Sequence, residues 1–171
     1  MGGHVFLGNT QCVVEVLLPE LIPGIQLRTP NSSGFRGLGG RLAIAERELL
    51  PPASQGTAST WRGRMRVLSL PDLSVRWEGT SIGELIFPVE VRGVWAVLSM
   101  PPRSQARGPL ALTLVDPESG ASLHTLVLGE VGAGGATLAS RGDRVFVGAD
   151  GELWCVRVGE RPSEGTGAEG R

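Results

Sequence analysis

Residues 142–158 read as a β-hairpin, and that hairpin limits the possible folds more than any other stretch of the chain. Arg144-Val145-Phe146-Val147-Gly148 is a short run of β-branched and aromatic residues, Ala149-Asp150-Gly151 is a turn, and residues 153–158 form a second run of strand formers. Asp150-Gly151 puts a glycine where such a turn needs positive φ, because glycine has no Cβ to clash there. His4-Val5-Phe6-Leu7-Gly8 resembles the first run closely, and after Asn9-Thr10-Gln11 the apolar residues 12–18 match the second. Weaker echoes open near Leu42 and Val94.

Aligned on Val5, Leu42, Val94 and Val145, the recurring strand is spaced by 37, 52 and 51 residues. A four-stranded propeller blade recurs every ~40–50 residues. Residues 110–115 add an argument from burial. Leu110, Leu112 and Leu114 lie on one face and Ala111 and Val115 on the other, so neither face is polar. A strand apolar on both sides belongs to a sheet covered twice, as a blade is by its two neighbours. The expected fold is therefore all-β and propeller-like, with about four blades over residues 1–158, either as a closed small ring or as an open arc of a larger one. An irregular β-sandwich or barrel is the alternative. Residues 159–171 are polar and rich in Gly and Glu, and are expected to form a disordered tail.

Between these landmarks the turn residues divide the chain. Residues 64–70 and 74–77 flank Pro71-Asp72-Leu73 as a hairpin. Residues 84–91 read as a strand made irregular, or held at an edge, by Pro88. Residues 110–115 and 121–128 flank Asp116-Pro117-Glu118-Ser119-Gly120, where Pro117 presets φ and Gly120 ends the turn. Residues 25–27 could form a short strand, 31–40 are a Ser- and Gly-rich connection, 43–50 a strand or a short helix, and 53–60 a polar loop.

Leu114-Val115-Asp116-Pro117-Glu118-Ser119-Gly120-Ala121-Ser122-Leu123 resembles the outer strand–turn–strand of bacterial β-propeller repeat proteins with quinoprotein-like or WD40-like blades. Val145-Phe146-Val147-Gly148-Ala149-Asp150-Gly151-Glu152-Leu153 resembles the inner hairpin of the same unit. The resemblance implies a fold and no particular activity. The repeated aromatic signature of quinoprotein blades is missing, and no blade ends in a Trp-Asp pair.

Composition removes several kinds of chemistry. The net charge is −1, so no global field draws the chain to nucleic acid or to an anionic membrane surface. All 16 basic residues are arginine, which leaves no lysine for a Schiff base or a phosphate loop. His4, Cys12, His124 and Cys155 are the only soft metal ligands, and no two are closely spaced. Cys12 and Cys155 read as small buried strand residues, and they could bridge only if the chain ends meet. Two histidines without a Gly-x-Ser-x-Gly elbow give no support to a nucleophilic triad. Asp72, Asp116, Asp143 and Asp150 read as turn residues, and Arg141-Gly142-Asp143 as the turn before the reference hairpin.

Trp61, Arg62, Arg64 and Arg66 form the one basic cluster with an aromatic neighbour. Trp and Arg are enriched in interface hot spots, so these four are the candidate partner surface. The plainer alternative is an exposed strand edge with solvated arginines. The expectation is a noncatalytic interaction scaffold with no catalytic, cofactor-binding or metal-binding residues. Its partner would be protein, a second copy of the chain included, and not nucleic acid or membrane. A ligand-binding or quinoprotein-like enzymatic propeller with a site in its central channel is the alternative. No signal-like N-terminus and no apolar span is visible, which points to the cytoplasm.

Overall fold

A computed structural model of the protein describes residues 4–8, 12–17, 22–28, 32–50, 60–70, 72–102, 105–132 and 134–159. The segment 53–59 and the expected tail, residues 159–171, apart from Gly159, lie outside them. The described residues form strands and turns with no helix. None of them belongs to a helix long and apolar enough to cross a membrane.

Among the described residues, fourteen strands build four antiparallel sheets, each from strands consecutive in the chain. The first sheet contains β1 (His4–Gly8), β2 (Cys12–Leu17) and β3 (Ile22–Arg28). The second contains β4 (Ser32–Leu38), β5 (Arg41–Leu50), β6 (Thr60–Ser69) and β7 (Val75–Ile82). The third contains β8 (Glu84–Val91), β9 (Val94–Met100), β10 (Arg107–Val115) and β11 (Ser122–Gly132). The fourth contains β12 (Ala136–Arg141), β13 (Arg144–Ala149) and β14 (Glu152–Arg157). Every sheet is a meander in which each strand pairs with the next in sequence.

One open alternative is decided here and one expectation is corrected. Residues 43–50 are strand and not helix, because β5 pairs residue for residue with β6 from Arg41↔Ser69 to Leu50↔Thr60. That ladder outweighs the helix propensity of Ala-Glu-Arg-Glu-Leu. The Ser- and Gly-rich connection becomes β4, drawn against β5 by pairs such as Phe35↔Ile44 and Gly37↔Leu42. Other expectations hold. The reference hairpin is β13–β14, turning through Asp150 at φ 50 and Gly151 at φ 80. β8 is an edge strand whose register shifts between Ile86 and Val89, around Pro88.

The sheets stack in chain order. On the second sheet, Leu42, Ile44, Leu68 and Leu73 are buried with Leu27 of the first sheet packed against them. Its other face presents Ala43, Met65, Val67 and Trp77 to Trp95, Val97 and Val115 of the third sheet. The opposite face of the third sheet gives Ala96, Leu98, Leu110 and Leu112 to Val145, Val147 and Ala149 of the fourth. Alternation along β9 explains this division: even-numbered residues 94–100 face one neighbour, while Trp95 and Val97 face the other. The third sheet is thus covered on both faces, as the pattern at 110–115 anticipates.

The second, third and fourth sheets each open with a two-residue hairpin, at Gly39-Gly40, Arg92-Gly93 and Gly142-Asp143. The register places Leu42, Trp95 and Val145 at equivalent positions, opposite Gly37, Glu90 and Ser140. The sequence alignment on Val94 is therefore one residue out, because the spacing had no ladder to fix it.

A second equivalence has no sequence signature. In the turn from β6 to β7, Ser69 N donates to Ser74 O and Leu73 N to Ser69 O. In the turn from β10 to β11, Asp116 N donates to Ala121 O and Gly120 N to Asp116 O. The left-handed position is Leu73 (φ 56) in one turn and Gly120 (φ 73) in the other.

Candidate partner surface

Arg62, Arg64 and Arg66 alternate along β6 with Gly63, Met65 and Val67, so the period of a strand puts the three guanidinium groups on one face. That face also carries Glu46 and Glu48, which lie across from Arg64 and Arg62, and Glu78, which lies across from Arg66. Arg62 Nε donates to Glu48 Oε2 at 3.0 Å. Arg64 pairs with Glu78 and approaches Glu46 at 3.9 Å. Arg66 donates to Glu46, which is 8% exposed. The hydrogen bond to Glu78 is the main reason the Arg64 guanidinium binds its proton more tightly than usual.

The sequence cluster is thus a balanced lattice of three arginines and three glutamates. It sits on an inner strand, not on an edge. Its field is cancelled within a few ångströms, which leaves little to attract phosphates. Trp61 is in β6 opposite Leu49; its side chain lies outside the described residues. A signal for the glutamates was present, since Glu46-x-Glu48 has strand period, but it was hidden while 43–50 could be read as helix.

The fourth sheet holds the more open surface. Val145, Val147 and Ala149 point toward the third sheet, so Arg144, Phe146 and Gly148 point away. The register adds Arg141, Ala139 and Thr137 from β12 and Arg157, Cys155 and Leu153 from β14 to that outward face. Three rows cross the sheet. Thr137, Gly148 and Leu153 form one. Ala139, Phe146 and Cys155 form the next. Arg141, Arg144 and Arg157 form the last. Leu153 is 74% exposed. Cys155 is a free thiol and is also exposed, which corrects its reading as a buried residue. The correction follows from which face of β14 it occupies, something no local pattern fixes.

Only one carboxylate meets the arginine row among the described residues. Arg157 Nε donates to Asp143 Oδ2 at 2.6 Å, and Arg144 Nε lies 4.0 Å from Asp143 Oδ1. The hydrogen bond from Arg157, with further attraction from Arg157 and Arg92, holds the Asp143 carboxyl below its usual range. Asp143 is thus a charged partner as well as a turn residue.

The remaining sequence candidates separate. His124 is exposed on β11. His4 and Cys12 lie on strands of the first sheet, with side chains outside the described residues. Among the described residues no three His, Cys, Asp or Glu side chains converge as a metal site. A crevice of about 150 Å³ opens between the second and third sheets, lined by Met65, Trp77, Leu85, Val97 and Val115, with Ser99 and Thr113 also on its wall.

No protein-family model matches the chain, and no curated protein matches it.

Proposed function

We propose that the chain is a noncatalytic, propeller-like module of about four blades that acts in the cytoplasm as a protein–protein interaction scaffold. The observation that carries this reading is the outward face of the fourth sheet, where Phe146, Leu153 and Cys155 lie together with no described sheet over them. Leu153 and Cys155 are exposed and Phe146 is half-buried, and grouped apolar surface of this kind with a polar margin is typical of interaction sites.

The propeller part has its own support. A two-layer sandwich has no place for a sheet buried on both faces, whereas consecutive blades require one. The first strands of successive sheets also lie side by side. Arg36 of β4 donates to Pro88 O of β8 at 3.3 Å, and Ser140 of β12 donates to Glu90 O of β8 at 2.7 Å. Innermost strands of adjacent blades would be neighbours in this way. The fold leaves the job open, so the scaffold assignment rests on the surface.

The test is Leu153→Asp. Tagged wild-type protein should recover a stoichiometric partner from its native host. The variant should lose that partner while its melting temperature stays within about 2 °C, because the side chain is exposed. Equal recovery by both proteins, or saturable stabilisation by a small molecule with no protein partner, would overturn the proposal.

A further inference from the structure

We infer that the fourth sheet is completed by an extended segment of another protein, added antiparallel beside β14, with a carboxylate in the row of Arg157, Arg144 and Arg141. This inference rests on the scaffold reading and specifies the partner's chemistry.

Strand count comes first. The second and third sheets have four strands, and their third strands, β6 and β10, are covered on the far side by β7 and β11. Met65 and Val67 of β6, and Leu110 and Leu112 of β10, are accordingly buried. β14 stands third in its own sheet and pairs only with β13 among the described residues. Its inward residues Trp154 and Val156 pack on the same cluster as Leu110 and Leu112 but remain partly exposed. A fourth strand is what the buried pairs have and Trp154 and Val156 lack. The free edge of β14 is a template for one.

Charge then selects the partner. An added strand places its side chains in the rows already present on β14. One outward residue would sit beside Leu153, one beside Cys155 and one beside Arg157. The last of these rows holds three arginines against Asp143 alone among the described residues, unlike the balanced lattice on β6. A carboxylate there gains from the row, whereas a basic residue is repelled. A second copy related by a two-fold axis would bring a β14 edge whose outward residues are Leu153, Cys155 and Arg157, none of them the acid that this position wants. Within residues 160–171, only Pro162 and Ala168 carry apolar side chains.

The probe is the capped hexapeptide Glu-Val-Thr-Leu-Val-Arg, which antiparallel pairing sets opposite Arg157 through Glu152, with its valine and leucine over Val156 and Trp154. Its control carries Gln in place of Glu. Calorimetry at low ionic strength should show the Glu peptide binding ~fivefold more tightly than the control, the scale of one exposed ion pair. Salt and Arg157→Gln should each remove that difference. Hydrogen exchange on full-length protein should show slower amide exchange along β14 on binding. Failure of both peptides to bind at millimolar concentration, equal binding of the two, or protection at β7 or β11 instead of β14 would each overturn the inference. If Leu153→Asp loses a host partner while the two peptides bind alike, the scaffold proposal stands and the acidic strand falls. Concentration-dependent dimerisation with the same β14 protection would replace the foreign segment by a second copy and overturn it too.

Discussion

The two faces of the third sheet solve the same packing problem differently. Toward the fourth sheet, the contact is a continuous aliphatic layer in which Leu98, Leu110, Val145 and Val147 are fully buried. Toward the second sheet, the contact is aromatic and keyed. Trp77 stacks obliquely on Trp95, with ring centroids 6.0 Å apart, and its Nε1 donates to Pro117 O at 3.0 Å. Arg41 and Arg76 both pair with Glu118 of the same turn. Arg47 reaches Glu84 at 3.0 Å. The crevice lies on this side. Aliphatic layers tolerate exchange of similar volumes, whereas keyed contacts depend on individual atoms. The first face should therefore respond to lost volume and the second to lost geometry.

Leu98→Ala probes the aliphatic face and should have the largest effect, lowering unfolding free energy in urea by about 3 kcal/mol. An effect below ~1 kcal/mol would mean that this layer is loosely packed and remove the contrast. Gly120→Ala probes the keyed face. Its backbone is left-handed, and a Cβ would fall 2.5 Å from Trp77 Cδ2. A cost of about 2 kcal/mol is expected from one methyl group, with a change in near-ultraviolet circular dichroism as the indole shifts. Near-neutral behaviour would mean that the turn and Trp77 are not locked together.

Gly79→Ala should act in the opposite direction. Its Cβ would meet Trp77 Cζ3 at an ordinary 3.6 Å, on the wall of the crevice. Stability should rise by about 0.5 kcal/mol, because a strand glycine loses more backbone entropy on folding than alanine does. Destabilisation would show that the crevice has no room to fill.

The smallest effect concerns acid. The Asp143 carboxyl is held below its unfolded range, so its contribution is complete above the unfolded pKa of ~4 and is lost as pH falls through the folded value. Asp143→Asn should flatten that acid limb of the stability curve by slightly lowering the neutral plateau, with the two proteins converging at low pH. An identical acid limb in the variant would rule out the pair with Arg157.

Local chemistry made part of this molecule readable from its sequence. The Asp150-Gly151 hairpin, the Pro88 irregularity and the turn closed by Gly120 each follow from the backbone preferences of a few adjacent residues. The double burial of residues 110–115 was also legible, because it shows as apolar residues on both faces of one strand. Partners brought in from other strands were not. Arg62, Arg64 and Arg66 look like a basic surface until Glu46, Glu48 and Glu78 arrive from β5 and β7. The arginine row of the fourth sheet comes from Arg141, Arg144 and Arg157, which lie on three strands and never form a run. Cys155 fits a buried or an exposed site equally well until the register of β13 and β14 decides which face it takes.

The contiguity of each sheet has a consequence for how such a chain can change. No described strand is lent from one sheet to another, so the joints near residues 83 and 133–135 separate whole meanders. Gain or loss of material at these joints would shift the number of layers without altering any pairing inside a layer. Length can then vary in steps of one meander, and the exposed end layer, more than the interior, is where a lineage could acquire a new companion.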